Sequence, residues 1–423
     1  MNKGIYCSVI TFLLLVVFVN INSCSKQQQI PVVSNQSVTS NVSDRSADSD
    51  IIGKIIVGYQ GWFSAQGDGS PCNYWNHQNI ELWPDTRDYS QTYAGSPFFQ
   101  NGGYVISPFY GNLNNDKPAV MFSSYDYSTV MTHFSWMKQY GIDGVALQRY
   151  GSELSDPSLK AQRDGMIAKV SSAAQATGRK FYIMYDITGW TDFQTEIKTD
   201  WLSDIHSVVI NSSYAYQDGK PVVCIWGVGV SGRPGDVNSW TDVLSWFKSQ
   251  GCFVIVGTSA DFSTDVINQK AYNTADMIMP WRVGNYGDPS LRDQKDLAYC
   301  SGRNIDYQVD IFPGYAFSNS DLSKPRNEIP RKGGSFMWSQ FVAATNNKVK
   351  SVYISMFDEI NEATAIFKCA EDKSMVPAGN YFLTLDADGT HVSSDFYLRL
   401  TNDGGQMLKG LKPYTAVLPT PFQ

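Results

Sequence analysis

Eight short apolar runs, separated by longer amphipathic stretches and followed by no glycine-rich nucleotide turn, predict a (β/α)8 barrel. The runs are unbroken rather than alternating, as expected of strands buried on both faces of a parallel sheet. They fall at 55–59, 144–147, 181–185, 222–226, 253–256, 277–281, 307–312 and 352–357. Helical spacing of apolar residues places the intervening helices at 128–140, 158–177, 200–210, 237–249, 264–272, 290–299 and 334–344. A doubly wound open sheet is the competing arrangement. It needs a dinucleotide turn after the first strand, and Gly58-Tyr59-Gln60-Gly61 lacks that spacing.

The amino-terminal part has a different character. Lys3 and the apolar run 9–19 form an export signal, the run being about half of the ~20 residues that a membrane-spanning helix needs. Ile21-Asn22-Ser23-Cys24 has the form of a bacterial lipobox, which makes Cys24 the expected lipid-bearing residue and gives the protein a membrane partner; an ordinary cleaved signal is the alternative. Residues 25–50 are too polar to offset chain entropy and read as a tether. Ser25 in place of an Asp directs the expected location to the outer membrane of a bacterial envelope. The expected division is therefore signal peptide 1–24, tether 25–50, barrel 51–375 and a short β-rich cap over 376–423. The cap begins with a strand near 381–385 and a tight turn at Asp386-Ala387-Asp388-Gly389.

Composition excludes several classes of function. The formal net charge is −7 and the pI about 5.2, so no basic stripe exists to neutralise nucleic-acid phosphates. Nucleotide binding lacks a phosphate loop. Four scattered histidines and no CxxC pair give no metal site, and no cofactor is expected. Part of the eleven Trp, 24 Tyr and 22 Phe fills core, and flat apolar faces also suit the stacking of sugar rings.

Catalytic groups of a (β/α)8 barrel sit at the carboxyl ends of its strands. Those ends carry Tyr59, Gln60 and Trp62, then Gln148 and Arg149 with Tyr150, then Asp186, Trp226, Trp281 and Tyr315. Aromatics beside polar groups are the lining of a saccharide cleft, and all of these but Tyr150, together with Asp358, are the expected substrate-binding residues. Asp186 has two roles open to it, orienting a sugar hydroxyl or pairing with Arg149 across the rim. Asp143 precedes its strand and is expected at the barrel bottom.

Residues 356–364 (MFDEINEAT) are the most informative segment. An apolar strand ends in Asp358 and Glu359, with Glu362 three residues further on. If the chain turns helical, Glu359 and Glu362 share a face with Cβ atoms about 5–6 Å apart. That permits a retaining pair of catalytic carboxyls, which stand about 5–5.5 Å apart. The alternative is structural: acids in the first turn of a helix cap its free N–H groups.

With these residues in view, the chain resembles the glycoside hydrolase family 71/99-like group, barrel proteins that include endo-acting α-mannosidases and α-mannanases. In family 99 the last strand leads into Glu-x-x-Glu-Gly-Thr, and this sequence has Glu359-Ile360-Asn361-Glu362-Ala363-Thr364. The set Gly58-Tyr59-Gln60-Gly61-Trp62-Phe63, Gly141-Ile142-Asp143-Gly144-Val145, Pro313-Gly314-Tyr315 and Phe357-Asp358-Glu359 is similar to bacterial lipoproteins labelled xylosidase/arabinosidase. The resemblance implies cleavage of an oligosaccharide or polysaccharide, with Glu359 as base and Glu362 as general acid/base. It implies a route in which the sugar's 2-hydroxyl displaces the leaving group through an epoxide. Ile360, Asn361 and Ala363 depart from the family pattern, which leaves mannose specificity unassigned. The reading from a different class is a surface glycan-binding lipoprotein on a degenerate barrel, which keeps the aromatics without needing both acids.

Overall fold

The computed structural model describes residues 49–77, 79–94, 98–100, 103–105, 111–285 and 287–423. The expected export signal, Cys24 and almost all of the tether lie outside the described residues. Ser49 and Asp50, assigned to the tether, already belong to the barrel. Ser49 bridges to Gln217, and Asp50 accepts from the Tyr216 amide at 2.9 Å and pairs with Lys180 at 3.2 Å.

Eight parallel strands close on themselves: β1 (Ile55–Tyr59), β2 (Gly144–Tyr150), β3 (Lys180–Asp186), β4 (Lys220–Trp226), β5 (Phe253–Ser259), β6 (Met277–Trp281), β7 (Asp306–Ile311) and β8 (Ser351–Ile354). Each pairs with its sequence neighbour, and β1 pairs with β8 through Ile55↔Val352, which closes the ring. The barrel that the eight apolar runs predict is present; β2, β3, β4 and β5 are longer than their runs, and β8 ends earlier, at Ile354.

The outer helices are α1 (Tyr127–Gln139), α2 (Pro157–Thr177), α3 (Phe193–Asp200), α4 (Val237–Ser249), α5 (Gln269–Tyr272), α6 (Pro289–Ser301), α7 (Ser335–Asn346) and α8 (Phe396–Leu408). Local chemistry sets their starts. Asp156, Asp236 and Asp288 each accept from two backbone amides at a helix N-terminus, and proline follows the first and third at N1. Two expected helices are misplaced. The 200–210 helix begins earlier, at Phe193, and continues as a π turn over Trp201–Ile205 that keeps Trp201 and Ile205 buried. The 264–272 helix is only Gln269–Tyr272. Asp265 accepts from the amides of Ile267 and Asn268, and this side-chain turn competes with a helical start.

The carboxyl-terminal segment corrects the expected β-rich cap. Leu383 makes one bridge, to Leu82, and the regular element of the tail is α8. This helix packs on α7 and supplies the eighth helix of the barrel, so the barrel does not end at 375. The run Asn402-Asp403-Gly404-Gly405 reads as a helix break on propensity. Here the missing side chains are needed, since a Cβ on Gly404 would lie 2.5 Å from the Phe341 ring and one on Gly405 2.9 Å from Ile55. Lys409 reaches Asp143 at 2.5 Å, and Asp143 also accepts from Ile55 N at 2.8 Å, at the barrel bottom where that residue is expected.

Inside the barrel the floor is filled by Tyr353, whose hydroxyl contacts Met356 Sδ at 3.3 Å and Met184 Sδ at 3.5 Å. Gly58 stands against this group, and a Cβ there would lie 2.2 Å from both Met356 Sδ and the Tyr353 hydroxyl. Gly58→Ala is therefore expected to destabilise the fold by about 1–3 kcal/mol, read as a lower midpoint in denaturant unfolding with the slope unchanged.

Candidate active site

Backbone register decides which strand-end residues reach the cavity. Successive side chains of a strand point to opposite faces. Gly58↔Ala146, Gln148↔Met184, Asp186↔Trp226 and Ser259↔Trp281 are register partners, so they share a face. That face is the interior. Gln60, Trp62, Gln148, Asp186, Trp226 and Trp281 line a cavity of about 150 Å3 at the carboxyl ends of the strands. Tyr150 and Met184 complete the barrel side of the wall.

The other phase corrects two expected binding residues. Arg149 points outward, is buried, and is held by Asp200 at 2.5 Å and Asp164 at 2.8 Å. It does not pair with Asp186, which instead accepts from Gln148 Nε2 at 2.7 Å and the Thr188 amide at 2.8 Å. Tyr59 also points outward, its hydroxyl 2.9 Å from His133 Nδ1. A third correction concerns Asp358, which is fully buried beneath the cavity and does not line it. Its two oxygens accept from Gln60 N at 2.8 Å and Gly61 N at 2.9 Å. Gly61 adopts φ +60°, which turns both amides toward one carboxylate.

After β8 the chain does not turn helical. Residues 356–367 fold back on themselves, with Thr364 N and Ala365 N both donating to Glu359 O at 3.1 and 3.0 Å, and Phe367 N to Phe357 O at 3.1 Å. The helix-capping alternative for the acids therefore falls away. Arg331 fixes this loop from outside by donating to Ala363 O at 2.8 Å and Ala365 O at 2.7 Å. The long β1–α1 connection fixes it from above, through Asn361 Nδ2 to His77 O at 2.9 Å and Leu82 N to Ile360 O at 3.0 Å.

So held, Glu359 and Glu362 both line the cavity. Gln60 Nε2 donates to Glu359 Oε2 at 2.6 Å. Burial pushes Glu359 well above the usual carboxylate range, helped by the charges of Glu362 and Asp358. Burial pushes Glu362 up to about 7, opposed by Arg233. The pair therefore holds one proton between its members near neutrality, because two adjacent buried carboxylates cannot both ionise cheaply. Tyr315 stands half-buried nearby, its phenol raised by burial and by Glu362.

Trp62 stacks on His77 with ring centroids 3.9 Å apart, and His77 Nε2 lies 3.3 Å from Glu153. Sequence reasoning missed this buttress, since His77 and Glu153 are distant in the chain. It also missed Arg233 and Met184 on the wall. Arg233 lies in Gly232-Arg233-Pro234-Gly235, a turn-forming stretch after β4; its signal was a basic residue in a βα loop, the face where barrel sites form. Among the described residues no three His, Cys, Asp or Glu side chains come together as a metal site requires.

The architecture is the (β/α)8 barrel shared by many carbohydrate-active enzymes. More particularly, it is similar to the family 99 endo-α-mannosidase of Bacteroides thetaiotaomicron. The complex of that enzyme with bis-tris-propane superposes with a TM-score of 0.63 at 13% identity, covering 85% of this chain and 98% of the other. A second structure of the endo-α-mannosidase gives 0.60 at 13% identity with the same coverage. At this identity the likeness is one of fold. No family model and no curated protein matches the chain.

The raised carboxyls carry a stability consequence. A carboxyl at about 7 in the folded chain and 4.5 otherwise loses folding stability as pH rises from about 4.5 through about 7. Glu362→Gln is expected to stabilise the protein by about 1–3 kcal/mol at pH 8 and by little at pH 4, measured by denaturant unfolding at the two pH values.

Proposed function

We propose that the protein is a retaining glycoside hydrolase acting on an oligosaccharide or polysaccharide, with Glu359 and Glu362 as its catalytic residues. The observation that carries this reading is the pair itself: two coupled carboxyls at the carboxyl end of the barrel, in a cavity walled by Trp62, Trp226 and Trp281. Supporting it, Gln60 Oε1, Trp62 Nε1, Trp226 Nε1 and Glu359 Oε1 are buried and meet no partner among the described residues. All four belong to residues that line the cavity, and a polyhydroxylated ring supplies partners of the kind they need.

The chemistry follows from how the proton is shared. Glu362, near 7, gives its proton to the departing glycosidic oxygen. In the form that reacts, the shared proton sits on Glu362, and Glu359, whose ionised form is favoured by the Gln60 amide against the effect of burial, takes the proton of the sugar's 2-hydroxyl. That oxygen then bonds to C1 as the C1–leaving-group bond breaks. In the second step Glu362 takes a proton from water, the water oxygen bonds to C1, and the C1–O2 bond opens with the proton returned from Glu359. Two inversions give net retention.

We also propose that the protein works at the bacterial envelope, held to the outer membrane by lipid on Cys24; support for this is the lipobox at 21–24. No helix of the described residues is long and apolar enough to cross a membrane.

The test is reducing-end release from a panel of plant, fungal and mucin polysaccharides. Glu359→Gln and Glu362→Gln are each expected to lower kcat/KM at least ~100-fold with folding intact. Activity surviving in both variants refutes this assignment. Tight glycan binding without release by the unaltered protein identifies a surface lectin instead. For the unaltered enzyme, the rate is expected to fall toward alkaline pH, where the pair loses the shared proton that Glu362 must donate. It falls again toward acid as the pair takes up its second proton. A pH profile of kcat/KM with no alkaline fall overturns the assigned acid.

A further inference from the structure

Every buried or half-buried arginine around the barrel has a partner of its own, with one exception. Arg149 is tied to Asp200 and Asp164, Arg163 to Glu153, Arg282 to Asp296, and Arg331 to two carbonyl oxygens of the acid loop. Arg233 lines the active cavity and makes no side-chain hydrogen bond or ion pair among the described residues. Its Nε is buried without an acceptor, and its guanidinium lies over the Trp226 ring at 5.0 Å from the centroid. Its charge lowers both Glu362 and Asp186 on the wall, yet it forms an ion pair with neither. Asp186 is satisfied by Gln148 Nε2 and the Thr188 amide.

A guanidinium is a rigid fork that matches two coplanar anionic oxygens, and withholding such a partner in a partly dry site is costly. Neutral sugar hydroxyls donate as well as accept and carry no compensating charge. The position of the charge is also informative: Arg233 and Trp226 adjoin on the cavity wall, with the guanidinium over the indole ring. A sugar ring bound in the cavity would bring a ring substituent within reach of that cation.

We propose that the substrate carries an anionic group, a uronate carboxylate or a sulfate ester, seated against Arg233, which makes Arg233 the residue that selects acidic glycans. The proposal rests on the glycosidase reading for its kinetic test but not for its binding test. It also gives a reason for a cation beside the acid pair, since without one the carboxylates would repel such a substrate.

The experiment uses the full chain and charge-matched substrates. Polygalacturonate is compared with its methyl-esterified form, and a sulfated galactan with its desulfated form. Reducing-end release and affinity-gel retardation are both measured, for the unaltered protein and for Arg233→Gln and Arg233→Lys. Cleavage or retardation confined to one acidic member is expected, and which member responds tells carboxylate from sulfate. Arg233→Gln is expected to raise KM or weaken binding about 10- to 100-fold for the charged polymer, with kcat changed far less. Arg233→Lys recovers part of this, since it restores charge without the fork. Equal action on charged and neutral members, an equal loss on both in Arg233→Gln, or no recognition of either acidic polymer overturns the proposal. Charge-selective binding that Arg233→Gln abolishes, with no release from any polymer, upholds the Arg233 assignment and overturns the hydrolase.

Discussion

The carboxylate of Asp358 joins the two ends of the barrel wall, and the site hangs from that joint. It accepts from consecutive amides at the end of β1 while itself sitting just past β8. Because Gln60 N is one of those donors, the same contact aims the Gln60 side chain at Glu359, the next residue along from Asp358. Burial pushes Asp358 up to about 6 even with two amides directed at it. Its ionised form is therefore held at the expense of stability, which is common where a geometry is kept for function. Around this joint the acid loop is gripped from three sides, by β1, by the long connection that follows it, and by Arg331.

The strands were legible because burial on both faces leaves a simple mark: eight apolar runs of the right length. That same simplicity hid the phase. In an alternating strand the polar residue announces the solvent face, but in IIVGYQ or GVALQRY nothing in the pattern says which neighbour looks inward. Tyr59 beside Gln60 and Arg149 beside Gln148 thus entered the candidate site in pairs, and register admitted one of each. Asp358 was ambiguous for a related reason. An acid at a strand end is as useful to backbone amides as to a substrate, and here the amides took it.

What was not legible depends on long-range contact. The glycines of α8 look like a break until Phe341 and Ile55 are seen pressing against them. The acid pair was found through its spacing, yet the helix invoked to bring the two residues together does not form; the folded-back loop does that work through Glu359 O. Arg233 carries no local signal of its role. Its distinction is that its side chain meets no acceptor among the described residues, and such an absence becomes visible only when the surroundings of every other arginine are known.

The closure of the ring bears on how the chain reaches its fold. The contact that joins β1 to the end of β8 spans 298 positions in sequence, and α8, which presses on Ile55, comes later still. A chain emerging in order therefore holds, until late, an open sheet whose first edge has no neighbour on one side. Contacts so distant in sequence make for slow folding, since the entropy of closing the loop is lost before any contact repays it. Slow closure leaves β1 available for mispairing with other chains, but it also prolongs the time during which the polypeptide is loose enough to be threaded through a narrow pore. A ring that cannot close early thus trades an exposed strand edge for a longer-lived open chain.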